Sequence, residues 1–88
     1  FSGSMEAYRK KSAIVAGAEL YRHTAIASDE KGGPEVRIAA AQAADELLSI
    51  KGVEASFALF VDGEDVNISA RSMGDFNVQL VMEALGCG

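Results

Sequence analysis

The sequence carries one cysteine, Cys87, and one histidine, His23. A lone cysteine excludes an internal disulfide framework and cannot build a zinc site, and a lone histidine excludes a multi-histidine metal centre on this chain. If the chain serves an enzyme, most of the chemistry lies elsewhere. Basic side chains are also few, 8 against 13 acidic, for a net charge of −5. That balance excludes sequence-independent binding of duplex DNA, which needs a basic footprint. It leaves room for a local cationic pocket that takes one small anion. Long apolar runs are missing as well. The longest fall well short of the roughly 18 residues that a membrane helix needs, and the first residues do not read as a secretory leader.

What is present is globular. Hydrophobic residues make up 49% of the 88 positions, too many for a disordered tail. One small domain is expected, burying only about 60–65% of its unfolded surface. Residues 1–4, Phe1-Ser2-Gly3-Ser4, read as a ragged edge or an expression scar, and the domain proper as residues 5–88. Alanines with Tyr8, Ile14 and Val15 predict a helix over 5–20. The run Arg9-Lys10-Lys11 reads as a solvated face. A short apolar strand is expected over 22–28, then a polar loop through Asp29, Glu30 and Lys31 to Pro34, whose missing N–H suits a first helical turn.

Val36, Ala40, Ala43, Leu47 and Ile50 recur at spacings of four and three, which predicts a helix over 35–50 stopped by Lys51-Gly52. Period two over 53–61 predicts a strand with Val53, Ala55, Phe57, Leu59 and Val61 on its apolar face. Asp62-Gly63-Glu64-Asp65 is a hairpin turn signal. The return strand alternates Val66, Ile68 and Ala70 with Asn67, Ser69 and Arg71. A last helix is expected over 78–85, capped by Asn77, before Gly86-Cys87-Gly88. The expected fold is α/β: a small mixed sheet with an antiparallel hairpin, packed by helices and cut short at its C-terminal end. The strand at 22–28 could reach a parallel partner through the 35–50 helix.

Three features could bear chemistry. Arg71 lies near two hydroxyls, Ser69 and Ser72, and ahead of Gly74, a setting suited to gripping a phosphate or a base edge. The plain alternative is a surface arginine, or one paired with Asp75. Gly86-Cys87-Gly88 would let backbone N–H groups approach a phosphate, or would simply cap a helix. His23 could act as a base, yet it has no cluster of partners and reads as structural. The acidic residues Asp29, Glu30, Asp62, Glu64 and Asp65 read as turn formers and solubilising charges.

Two stretches carry a family resemblance. Ile68-Ser69-Ala70-Arg71-Ser72-Met73-Gly74-Asp75-Phe76-Asn77-Val78, a helix, then Gly86-Cys87-Gly88 resembles the C-terminal associated domain of the DHH phosphoesterases. In that family a strand ends in Ser-x-Arg-Ser and is followed by Gly-x-x-Asn-Val, a helix and a Gly-Gly-Gly-His loop. Ala41-Gln42-Ala43-Ala44-Asp45, Leu47-Leu48-Ser49 and Val53-Glu54-Ala55-Ser56-Phe57-Ala58 resemble the membrane-anchored cyclic-di-AMP phosphodiesterases, which carry PAS and degenerate GGDEF domains ahead of the DHH module. Cys87 stands where the family usually has glycine, and the family's histidine would follow Gly88.

The resemblance implies a division of labour. A separate DHH domain of the same chain would hold two manganese ions, and this domain would hold none. Ser69, Arg71, Ser72, Gly86 and Gly88 would contact a cyclic or linear dinucleotide, and no residue here would be catalytic. The setting implied is the cytoplasmic part of a bacterial membrane-anchored protein, with a homodimer as a further arrangement to consider. Two alternatives stand beside it. One is a small ligand-sensing or dimerisation module that self-associates through the 53–61 strand. The other is the same domain of an oligoribonuclease acting on short RNA.

Overall fold

A computed structural model describes residues 4–29 and 34–74. Helix α1 spans Met5–Ala16 and is capped by Ser4, whose Oγ accepts from the Ala7 N–H, satisfying one of the donors a helix start leaves open. The helix stops at Gly17, earlier than the expected residue 20. Leu20 instead enters strand β1, Glu19–Tyr21, which pairs antiparallel with β2, Thr24–Asp29. Helix α2 spans Pro34–Leu48. Past its end Gly52 adopts φ +92°, the left-handed conformation expected of it. Strand β3, Ala55–Asp62, and strand β4, Asp65–Ser72, form the expected hairpin. Gly63 sits first in its two-residue loop at φ +65°, as a type II′ turn requires.

The sheet order is β1-β2-β3-β4. The outer pairs are antiparallel, and β2 and β3 are parallel. The fold is therefore the expected α/β arrangement with a mixed sheet, joined at its centre by the β2–α2–β3 crossover. The helix expected over 78–85 and the glycines at 86 and 88 lie outside the described residues.

Both helices pack on one face of the sheet. Ala39, Ala40, Ala43 and Ala44 are fully buried there with Val36 and Leu47. They meet Ala25, Ala27, Ala58 and Phe60, with Ile14 of α1 completing the cluster. Small side chains on α2 let its backbone approach the strands closely, while Leu47 and Val36 supply bulk, each contributing about 1.5–3 kcal/mol by burial. Register decides which strand residues face the helices. Ala25, Ser56 and Arg71 align across β2, β3 and β4, as do Ala27, Ala58 and Ser69. The helices thus lie against the Ser56, Ala58 and Phe60 side of β3, and Phe57, Leu59 and Val61 occupy the other. Ala-rich α2 fits the smaller residues.

The basic run on α1 is also not uniformly solvated. Lys11 is buried, its ammonium 2.9 Å from a Glu46 carboxylate oxygen and 4.6 Å from the centre of the Tyr8 ring. Lys10 lies 3.6 Å from Asp29. No helix among the described residues is long and apolar enough to cross a membrane.

Candidate functional site

The site builds outward from a buried contact between α2 and β3. Ser56 is completely buried, and its Oγ donates to the Ala44 carbonyl oxygen at 2.6 Å. A buried hydroxyl without such a partner would cost about 1–3 kcal/mol, so this bond both satisfies Ser56 and fixes the strand along the helix. Arg71 is the cross-strand partner of Ser56, and Asp45 follows Ala44. The side chains one step out from the buried bond therefore meet. Arg71 Nε donates to Asp45 Oδ1 at 2.7 Å, and Arg71 Nη1 donates to the Ala70 carbonyl oxygen at 2.8 Å. Of the five guanidinium N–H groups, these two bonds use one on Nε and one on Nη1. The other three have no partner among the described residues.

Asp75, the neighbour considered as a partner for Arg71, lies outside the described residues. The partner of Arg71 among the described residues is Asp45, 26 positions upstream. That contact could not be read from the strand alone, because it depends on the register that seats α2 over β3. The predicted ligands also separate. Ser69 and Arg71 lie on the helix side of β4, whereas Ser72, aligned with Ala55, lies on the opposite side. Ser69, Arg71 and Ser72 are each partly exposed. Gly86 and Gly88 fall outside the described residues, so they cannot be placed against Arg71.

Asp45 also lines a cleft of about 370 Å³ together with Lys11, Gln42 and Glu46. Gln42 Oε1 within it is buried and makes no hydrogen bond among the described residues. The cleft mixes an ammonium, an amide and two carboxylates, and each charge on it has an opposite partner. His23, the other candidate, is committed to the backbone. Its Nδ1 lies 3.1 Å from the Gly52 carbonyl oxygen, an acceptor, so this nitrogen carries the proton. Among the described residues no group of three or more His, Cys, Asp or Glu side chains comes together to hold a metal ion. The described residues do not fit the manganese pair implied by the resemblance.

With Arg71 placed, comparison with known proteins becomes informative. The DHHA1 domain family matches residues 35–88, which takes in α2, the β3–β4 hairpin, Asp45 and Arg71. A protein of Bacillus subtilis named cyclic-di-AMP phosphodiesterase GdpP is 44% identical over 89 residues, covering 97% of this chain. A protein of the same name from Geobacillus thermodenitrificans is 41% identical over 87 residues, again covering 97%. The cyclic-di-AMP phosphodiesterase PdeA of Listeria monocytogenes is 41% identical over 83 residues, covering 92%. The chain spans only 13–14% of the length of these relatives.

Among solved structures, an exopolyphosphatase-related protein from Bacteroides fragilis superposes on 92% of the chain with a TM-score of 0.77 at 25% identity, the match covering 26% of that protein. The α/β sheet, the strand that ends in Ser69-Ala70-Arg71-Ser72 and the match over more than half of its length together make this chain a member of the DHHA1 family, a domain type associated with phosphoesterases.

Proposed function

We propose that this domain holds the nucleotide for a phosphodiesterase that hydrolyses cyclic-di-AMP to a linear dinucleotide. The observation that carries this reading is the 41–44% identity, over 92–97% of the chain, to three proteins named cyclic-di-AMP phosphodiesterases. In this reading the hydrolytic centre, two manganese ions on a DHH domain of the same longer protein, supplies an activated water. Arg71 contacts a phosphate oxygen or a base edge through the N–H groups that the described residues leave open. Ser69 lines the same strand, Ser72 contributes from the strand end, and the backbone at Gly86 and Gly88 approaches the nucleotide. The domain works on the cytoplasmic side of a membrane-anchored protein.

The test is made in the longer protein. Arg71→Ala should raise KM for cyclic-di-AMP by about 10- to 100-fold, the equivalent of a lost charge-assisted hydrogen bond, with manganese content unchanged. Unchanged KM and kcat would remove Arg71 from the site. The isolated domain supplied with manganese should hydrolyse nothing, and turnover by the purified domain would contradict the separation of binding from chemistry.

The similarity to an exopolyphosphatase-related protein supports a second reading, in which the anion gripped is an inorganic phosphate chain. Rates measured side by side on cyclic-di-AMP, a linear dinucleotide and polyphosphate separate the two. Preference for polyphosphate would favour the second.

A further inference from the structure

We propose that Asp45 is a positioning residue, which holds the Arg71 guanidinium in the orientation that meets the nucleotide. This inference rests on the reading of Arg71 as a nucleotide contact. Three linked bonds support it. Ser56 Oγ on the Ala44 carbonyl oxygen, at 2.6 Å, locks α2 against β3. The register sets Arg71 directly across from Ser56. Asp45 and the Ala70 carbonyl then take two of the guanidinium N–H groups. A free arginine side chain loses considerable rotamer entropy when it is immobilised by a ligand. Here much of that freedom is already removed, so an arriving anion meets donors that are oriented in advance. Because Asp45 closes the Nε flank, the Nη2 corner and the second Nη1 hydrogen are the donors that the described residues leave open.

Stability alone does not explain this pair. The Asp45 side chain is 63% exposed and that of Arg71 40% exposed, and exposed ion pairs contribute little to folding. Long-range charge effects also point the other way. A carboxylate beside a phosphate site repels the ligand, so by electrostatics alone its removal should tighten binding. Positioning predicts that removal weakens it. The sign of the effect therefore separates the two roles.

The experiment uses the longer phosphodiesterase, with cyclic-di-AMP as substrate. Asp45→Ala should raise KM by about three- to tenfold, with kcat nearly unchanged, because the donors are displaced but not deleted. Asp45→Asn keeps an acceptor for the Nε–H and should restore most of the lost affinity. In the Arg71→Ala background, Asp45→Ala should change KM no further, since the two side chains act as one unit. A lowered or unchanged KM in Asp45→Ala, beside a raised KM in Arg71→Ala, overturns the positioning role and leaves Arg71 in the site. A further rise in the double variant also overturns it, because Asp45 would then act without Arg71. An unchanged KM in Arg71→Ala itself overturns the nucleotide-contact reading on which the inference stands.

Discussion

Arg22 shows how one residue can record a constraint imposed by its neighbours. It adopts φ +59° in the two-residue connection between β1 and β2, a region where side chains other than glycine cost about 1 kcal/mol or more. The pairing of Tyr21 with Thr24 leaves only Arg22 and His23 to turn the chain. His23 ties that turn to the end of α2 through Gly52, and its carbonyl oxygen accepts from the Glu54 N–H at 2.7 Å. Arg22→Gly should therefore stabilise the domain by about 0.5–1 kcal/mol, the conformational relief exceeding the added freedom of the unfolded chain. Urea denaturation of the two proteins measures this, and a loss of stability would show that the Arg22 side chain contributes more than its backbone costs.

At the scale of elements, α2 is the most informative. Its period of three and four was plain in the sequence, and so was the small-residue face that Ala39, Ala40, Ala43 and Ala44 bury completely. Ala43→Leu should destabilise the domain by about 1–3 kcal/mol, because the added atoms have no space between helix and sheet. Chemical denaturation checks it, and a neutral result would reveal slack in that layer. The hairpin turn and the β3 and β4 strands were legible because each rests on local periodicity or turn chemistry, whereas a parallel partner for β2 was foreseen only from the crossover through α2.

Strand β1 was not legible. Three residues are too few to show a period, and Leu20 and Tyr21 prolong the apolar pattern of α1. Which face of β3 meets the helices was not legible from period two alone, because it depends on the alanine-lined face of α2, which seats on Ser56 and Ala58. Of the candidate site, the type of residue was readable and the geometry was not. Arg71 stood out by its motif, while Asp45, 26 positions away, is joined to it only by the way α2 crosses the sheet.

At the scale of the whole molecule, burial differs between the two sides of the sheet. The described helices cover one side, where Ala27 and Ala58 are 2% and 0% exposed, while on the other side Phe57 is buried and its strand partner Ile26 is 43% exposed. Ala58→Asp should prevent folding, since it places an unpaired charge in the helix–sheet layer. Ile26→Thr should change stability by less than about 1 kcal/mol. Circular dichroism and thermal melting distinguish these outcomes, and comparable losses in both variants would contradict the difference in burial between Ala58 and Ile26.

The parallel join at the centre of the sheet also has a consequence in time. Thr24 pairs with Ala55, thirty-one positions later in the chain. At synthesis rates of about 5–20 residues per second, β2 emerges roughly two to six seconds before its inner neighbour exists. During that interval β1, three residues long, is its one partner among the described strands. Closure of the parallel join thus waits for β3, which brings the hydroxyl of Ser56 with it, and Arg71 on β4 follows to meet Asp45.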